Sequence, residues 1–180
     1  MTKYISILRG INVGGKRKIL MADLRGLYES LGFENVISYI QSGNVIFESK
    51  KNNGQSIFSK KIKEAILEKY GFDVPIIIRS VEEIKHLVET NPYLKKEGVK
   101  IENLCITFLS EVPSAENLEK IKTFDYSPDL FQIIEDNTFL FIEGKYHKSK
   151  LTNNLFEKKL KVSATTRNWK TVTKLLELST

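Results

Sequence analysis

The chain has 180 residues, of which 41% are hydrophobic and 28% are charged, and its formal net charge is +6. This composition suffices for one large or two small folded domains and excludes a disordered or low-complexity chain. A single cysteine excludes an intrachain disulfide, and no apolar run approaches the roughly 20 residues that a bilayer-spanning helix needs. We therefore expect a cytoplasmic protein without a membrane partner.

The positive charge is concentrated near both ends of the sequence. Residues 1–22 contain five lysines or arginines and no acidic residue, and residues 145–174 contain nine against a single glutamate. The two segments together carry +13, whereas the rest of the chain sums to −7. If they meet in the fold, they create a positive potential that attracts an anion; otherwise they form two unrelated solvated surfaces.

The first half of the chain predicts the element order βαββαβ followed by a helix. The run KYISILRG predicts a strand, which a Gly-rich loop joins to a helix, and the runs NVISYIQ and NVIFES predict a hairpin that turns at Ser42 and Gly43. A helix over residues 55–70 and the strand VPIIIR follow. Ser80 and Glu83 fit a capping box at the start of the next helix, which a proline then ends.

The second half repeats that order without convincing residue-level identity. The runs NLCITFL, LFQIIE, TFLFIE and VSAT predict strands, separated by the helices SAENLEKIKTF and SKLTNNLFEKKL, the second capped by Ser149, and RNWKTVTKLLEL predicts a closing helix. We predict an α+β protein of two tandem ferredoxin-like βαββαβ units with extra helices and antiparallel sheets, as domains at residues 1–96 and 97–180. Strands that are apolar at nearly every position predict that at least part of the sheets is covered on both faces.

The Gly-rich loop in the segment GINVGGKRK resembles part of a phosphate-binding loop. Gly10 to Lys16 match the pattern G-x-x-x-x-G-K, but Arg17 stands where that motif needs a serine or threonine to hold magnesium. The parallel sheet in which the motif occurs is also missing from the predicted topology. An ordinary nucleotide-hydrolysing loop is therefore not favoured.

A looser anion site remains compatible with this loop. In that interpretation Gly14 and Gly15 let the backbone turn its N–H groups inward, while Arg9, Lys16 and Lys18 surround an anion. The alternative is a plain connection between a strand and a helix, with solvated lysines around two glycines. Composition alone favours the plain connection.

Two further polar clusters are candidates for ligand contacts. The segment QSGN, which begins at Gln41, offers amides and a hydroxyl that either bind a ligand or shape the hairpin. In TTRNW, Thr165 or Thr166 is predicted to cap the last helix, which places Arg167 in its first turn. A cation there is unfavourable against the helix dipole unless it meets an anion.

Catalytic templates find no support in the sequence. His86 and His147 lack a cysteine or carboxylate at metal-ligand spacing, and Cys105 lies in an apolar strand without a neighbouring cation that would stabilise a thiolate. There is no G-x-S-x-G motif. Catalytic residues and cofactors therefore stay unknown, and no metal site is expected.

The segments LRGINVGGKRKILMADLRGLYESLGFENVISYIQSGNVIF and TTRNWKTV resemble the bacterial family designated domain of unknown function 1697, over nearly the whole chain. This resemblance implies a compact α+β protein with two ferredoxin-like parts and implies no activity. The family's signature coincides with the three polar clusters, at Arg9, Gly10, Asn12, Gly14, Gly15 and Lys16, at Gln41, Ser42, Gly43 and Asn44, and at Thr166, Arg167, Asn168 and Trp169.

These observations lead to one hypothesis with two alternatives. The hypothesis is a module that binds a phosphate-bearing ligand, namely a nucleotide, a small phosphorylated molecule or a nucleic acid, where the three clusters meet. The alternatives are an enzyme that acts on a phosphorylated small molecule, and a structural or protein-interaction module without a ligand site. The predicted ligand-binding residues are Arg9, Asn12, Gly14, Gly15, Lys16, Lys18, Gln41, Ser42, Asn44, Thr166, Arg167 and Asn168.

Overall fold

The structure, a computed structural model, describes residues 1–51 and 53–180. Within these residues the chain forms two four-stranded antiparallel sheets and six α-helices, which confirms the predicted fold class. Two compact units can be distinguished: unit 1 comprises Met1–His86 and Leu175–Thr180, and unit 2 comprises Leu87–Lys174. Domains at residues 1–96 and 97–180 stay a prediction, because spatial grouping does not establish which segment folds alone. No helix of the described chain is both long and apolar enough to cross a membrane.

Unit 1 has the ferredoxin-like order of elements. Its sheet runs β2-β3-β1-β4 with every neighbouring pair antiparallel. The elements are β1 (Thr2–Leu8), α1 (Met21–Ser30), β2 (Glu34–Tyr39), β3 (Asn44–Ser49), α2 (Gln55–Tyr70), β4 (Ile76–Ser80) and the beginning of α3 (Val81–Thr90).

Three strands of the unit 1 sheet, β1, β3 and β4, are buried on both faces, whereas the edge strand β2 is partly exposed. Tyr4 and Leu8 of β1 point to the side of α1 and α2, where they join one apolar cluster with residues such as Leu24 and Ile62. Because successive side chains of a strand alternate, Ile5 lies on the opposite face, and it is fully buried as well. The apolar character of these strands on both faces therefore predicted their burial correctly.

Unit 2 repeats this topology. Its sheet runs β6-β7-β5-β8 and is antiparallel throughout. The elements are β5 (Leu104–Leu109), α4 (Ala115–Lys122), β6 (Leu130–Ile134), β7 (Asn137–Phe141), α5 (Asn153–Leu160), β8 (Ala164–Asn168) and most of α6 (Trp169–Ser179). The core on the side of α4 and α5 contains Cys105, Leu140, Phe156 and Leu160.

The helix starts show where local sequence signals succeed and fail. The capping box at α3 is confirmed, because the Glu83 amide donates to Ser80 Oγ at 3.2 Å and the Ser80 amide donates to the Glu83 carboxylate. The predicted cap of α5 at Ser149 is wrong. Thr152 Oγ1 accepts from the Leu155 amide at 3.2 Å, whereas Ser149 Oγ donates to Asp129 Oδ2 at 2.6 Å. A carboxylate distant in sequence thus engages the hydroxyl that local spacing assigned to the helix.

The start of α6 also differs from the prediction. Neither Thr165 nor Thr166 caps the helix, and Arg167 does not lie in its first turn, because all three belong to β8. In the register of the sheet Arg167 pairs with Ile106. The cap is Asn168, whose Oδ1 accepts a hydrogen bond from the Thr171 amide at 2.8 Å. Pairing with β5 extends the strand to the residue before the helix, so the dipole argument about Arg167 no longer applies.

Candidate functional site

The Gly-rich loop of unit 1 folds into a tight hairpin. The Lys16 amide donates to the Val13 carbonyl at 3.0 Å, and the Asn12 amide donates to the Arg17 carbonyl at 3.2 Å. Gly14 and Gly15 occupy the turn with φ of 57° and 73°, the positive values that a two-residue hairpin turn of type I′ requires. Because α1 begins only at Met21, the glycines do not open a helix. With the antiparallel sheet, this geometry rules out an ordinary phosphate-binding loop.

Asn12 fixes this hairpin to the neighbouring β2–β3 turn. Its Nδ2 donates to the Ile19 carbonyl at 3.0 Å and to the Gln41 carbonyl at 2.9 Å, and its Oδ1 accepts from the Ile19 amide at 2.9 Å. Ile11 and Ile19 are buried on either side of the hairpin. The structure thus brings the first two predicted clusters together, and Asn12 serves as the link between them.

The β2–β3 turn depends on a glycine. Gly43 has a φ of 89°, and a Cβ at this position would lie 2.7 Å from Leu8 Cβ and 2.8 Å from Ile11 Cδ1. Asn44 is fully buried, and its Nδ2 donates to the Tyr39 carbonyl and to Ser42 Oγ, each at 3.1 Å. Ser42 and Asn44 therefore shape the turn, whereas Gln41 is exposed.

Three consecutive cations project from the hairpin. Lys16, Arg17 and Lys18 are all exposed, and within residues 1–51 and 53–180 no carboxylate forms an ion pair with any of them. Arg17 was not among the predicted ligand residues, although its guanidinium lies beside Gly10. The signal in the sequence that could have identified Arg17 is its position between two lysines that were predicted to bind the ligand. The hairpin therefore carries a concentrated positive charge that no acidic side chain of the described chain neutralises.

A cavity of about 320 Å³ lies beside the hairpin. The β2–β3 turn and the beginning of α1 complete its lining, which consists of Asn12, Gly15, Lys18, Ile19, Leu20, Met21 and Gln41. No side chain caps α1, since the residue at its N-cap is Leu20, which is 72% exposed. The cavity thus combines a cation, an amide side chain and an apolar wall.

The third predicted cluster belongs to unit 2, and its side chains are engaged there. Thr166 Oγ1 lies 2.7 Å from Thr107 Oγ1 and donates to Asn153 Oδ1 at 2.7 Å. Arg167 Nη1 donates to the Thr166 carbonyl at 3.0 Å, and burial lowers the pKa of Arg167 to about 10, which leaves it charged at neutral pH. That this cluster contributes to the same site as the unit 1 loops stays a prediction.

Arg167 has a structural counterpart that sequence comparison of the two halves missed. Arg79 occupies the same position in β4: it pairs with Ile5, as Arg167 pairs with Ile106, and its Nη1 donates to the preceding carbonyl at 2.9 Å. In both units the next residue caps the following helix. Only the arginine is shared by RSVEEI and RNWKTV, so the repeat emerges from strand register. A repeated position points to a structural role for both arginines.

The described residues contain no group of three or more His, Cys, Asp or Glu side chains that could hold a metal ion. Cys105 is buried, and this burial raises the pKa of its thiol to about 11. A thiol that keeps its proton is a poor nucleophile. The interpretation of Cys105 as a core residue agrees with both observations.

Fold and loop geometry together define a class: an α+β protein of two ferredoxin-like units, the first of which carries a basic hairpin. Residues 1–139 match the family described as protein of unknown function (DUF1697), and the chain belongs to this family, as its motifs predicted. The fold is similar to the structure of conserved bacterial protein SP0830 from Streptococcus pneumoniae, with a TM-score of 0.77 and 25% sequence identity over 99% of each chain. No curated protein matches the sequence significantly.

Proposed function

We propose that unit 1 binds a small phosphate-bearing ligand at the basic hairpin. The observation that carries this proposal is the row of exposed cations Lys16, Arg17 and Lys18, unpaired within the described chain, on a hairpin that Asn12 holds beside a cavity. Because the hairpin backbone is already fixed, binding an anion carries no cost of ordering this loop, which favours affinity. Arg9, Gly14, Gly15 and Gln41 complete the proposed contact residues in this unit.

The cavity favours a ligand of nucleotide size. Its volume of about 320 Å³ lies at the lower end of the range typical of small-molecule sites. Lys18 supports phosphate binding at one part of the lining, whereas Ile19, Leu20 and Met21 offer apolar contact for the remainder of the ligand. The exposed side-chain amide of Gln41 can both donate and accept hydrogen bonds.

A nucleic acid is less well supported as the ligand. Ferredoxin-like modules that read RNA stack bases on aromatic side chains of an open sheet face. In unit 1 the face opposite α1 and α2 presents Ile5, Ile7 and Ile46, which are aliphatic and at most 2% exposed. Bases therefore cannot stack on this face, and a nucleic acid that contacts only the hairpin would place few of its phosphates against the protein.

A structural role for the loops is the second candidate function, and the hydrogen bonds of Asn12 favour it. All polar atoms of this side chain are engaged by Ile19 and Gln41. Under this alternative the loops only close one end of the sheet. The two candidates differ in what they require of the exposed lysines, which take no part in those hydrogen bonds.

Calorimetric titration with inorganic phosphate and with adenosine monophosphate, repeated at several salt concentrations, tests the proposal. We expect saturable binding with a shallow salt dependence, because few phosphates are engaged. Lys16→Ala and Lys18→Ala should each weaken binding about tenfold, the loss expected for one charge-assisted contact. Lys85→Ala is the matched control, since Lys85 is an exposed lysine on α3 of unit 1.

Equal affinity of Lys16→Ala, Lys18→Ala and Lys85→Ala would reject the hairpin as the phosphate site. A steep salt dependence with single-stranded oligonucleotides, together with weak binding of the mononucleotide, would shift the assignment to a nucleic acid. Arg167→Ala tests the predicted share of the third cluster: unchanged affinity with a lower melting temperature would assign that residue to the fold alone.

A further inference from the structure

Unit 2 contains a larger cavity, of about 880 Å³, at one end of its sheet. The four strands contribute in their spatial order: Leu130 begins β6, Phe141 ends β7, Cys105 lies at the start of β5, and Asn168 ends β8. The walls come from residues 96–103 before β5 and residues 143–147 after β7. All lining residues belong to unit 2, and none of them is among the contact residues proposed for unit 1.

The walls of this cavity are held by side-chain hydrogen bonds. Asn103 Nδ2 donates to the Ile142 carbonyl at 2.8 Å, and its Oδ1 accepts from the Lys100 amide at 3.2 Å, which joins one wall to the other. Asp129, itself buried, accepts from the Glu143 amide at 3.0 Å and from Ser149 Oγ at 2.6 Å. These bonds fix the cavity before any ligand binds.

The rim carries charges of both signs. Three lysines and three glutamates line the cavity: Lys96, Lys100, Lys145, Glu97, Glu102 and Glu143. In the part of the chain that the structure describes, none of the six forms an ion pair within 4.0 Å. Opposite charges that line one hollow without pairing with each other suit a ligand that carries an ammonium and a carboxylate at its two ends.

Between these charges lies an apolar floor. Leu130 is 41% exposed at the end of the sheet, and Phe141 is half-buried beside it. Tyr93 packs on Phe141 with ring centroids 6.2 Å apart, and Lys96 Nζ lies 5.3 Å from the Phe141 ring centroid. An aromatic or aliphatic side chain of a ligand would replace water over these residues, which is favourable.

The backbone at the rim is also accessible. Gly98 and Gly144 line the cavity, and a Cβ at either position would meet no atom within 4 Å. Open glycines let another peptide backbone approach closely. The cavity volume exceeds the space that a single amino acid fills and lies within the range of small-molecule sites.

We propose that the cavity of unit 2 binds a short peptide with free termini, whose ammonium group meets the rim glutamates, whose carboxylate meets the rim lysines and whose apolar side chain covers Leu130 and Phe141. This site is independent of the phosphate site, because it rests on different residues in the other unit. The proposal concerns recognition only and requires no chemical step.

Two-dimensional NMR of the full chain, titrated with the tripeptide alanyl-phenylalanyl-alanine, tests this proposal. We expect saturable shifts confined to the amides of the lining segments, namely residues 96–105, 130, 141–147 and 168. N-acetylation or C-amidation of the peptide should each weaken binding about tenfold, the equivalent of losing one charge contact. Shifts outside these segments, no saturable shifts, or equal binding of the free and doubly capped peptides would overturn the proposal.

Variants of the rim identify which charge each terminus meets. Lys145→Ala should weaken the free peptide about tenfold but leave the C-amidated peptide unchanged, because that interaction is already absent. Glu143→Gln should show the same pattern with the N-acetylated peptide. Lys148→Ala and Glu111→Gln, exposed residues of unit 2 that do not line the cavity, are the matched controls. Equal losses from rim and control variants would reject charge recognition at this cavity.

Discussion

The two units share one topology but elaborate opposite ends of it. In unit 1 the first strand and first helix are joined by residues 9–20, and the hairpin turn spans residues 40–43. The corresponding connections of unit 2 are much shorter, residues 110–114 and residues 135–136. After the third strand of each unit the longer connection belongs to unit 2, where residues 142–152 correspond to residues 50–54 of unit 1.

This difference shows where the two units can differ in function. The packed strands and helices are fixed by burial, whereas the connections are free to change length. The basic hairpin of unit 1 and the cavity wall at residues 143–147 of unit 2 each lie in a connection that is longer in that unit than in the other. The paired arginines Arg79 and Arg167, by contrast, are the same in both units and lie in strands.

The largest expected effect on stability comes from replacing glycines. Close packing requires a glycine at Gly43, whereas only the turn conformation requires one at Gly14. Gly43→Ala should lower the free energy of unfolding by about 3 kcal/mol, because the new methyl group overlaps Leu8 and the φ is left-handed. Gly14→Ala should cost about 1 kcal/mol, since only the φ is unfavourable there.

Urea denaturation measures both values, with Gly144→Ala in unit 2 as the control that should change stability by less than about 0.5 kcal/mol. Equal losses at the three glycines would show that the close contact at Gly43 is absent.

The next effect tests whether the two arginines are equivalent. Arg79→Ala and Arg167→Ala should each destabilise the fold by about 2 kcal/mol, because each removes a partly or fully buried group that hydrogen-bonds its own strand. Thermal unfolding of both variants gives the comparison. If Arg167→Ala left the melting temperature unchanged while Arg79→Ala lowered it, the structural equivalence of the two positions would be wrong.

A smaller effect concerns the link between the unit 1 loops. Asn12→Ala should cost about 1 kcal/mol of global stability, since its hydrogen bonds tie exposed loops and local opening relieves part of the loss. Hydrogen exchange should accelerate at residues 11–19 and little elsewhere. Uniform acceleration across unit 1 would instead show that the link supports the whole sheet.

The last effect concerns Cys105 and leaves the fold intact at neutral pH. Burial raises the pKa of this thiol to about 11, so at pH 8 the folded protein should react with iodoacetamide about a hundredfold more slowly than the urea-unfolded chain. The raised pKa also means that the unfolded chain releases this proton first. Stability should therefore fall as the pH rises from about 9 to about 11, and Cys105→Ala should remove that part of the decline. Mass spectrometry of the alkylated protein checks the first expectation, and fast alkylation of the folded state would contradict it.

Local sequence patterns predicted which helices and strands form better than they predicted where these elements begin. The range of α2 and the capping box of α3 follow directly from helical spacing and the Ser80–Glu83 pair. The starts of α5 and α6 did not, because Asp129 engages Ser149 and pairing with β5 keeps Arg167 in a strand. Of the candidate site, Lys16 and Lys18 were predicted as exposed cations, whereas the cavity of unit 2 was not predicted, since its lining comes from segments dispersed along the chain.

The sequence by itself determined the fold class and the tandem repeat of topology, because hydrophobic periodicity and turn residues act over a few neighbouring positions. Its motif segments carried the resemblance to the family. Only the tertiary structure decided that Asn12 and Asn44 hold loops together, that Arg167 repeats Arg79, and that unpaired charges of both signs surround one cavity. Those properties depend on strand register and on hydrogen bonds between distant segments, which no local pattern encodes.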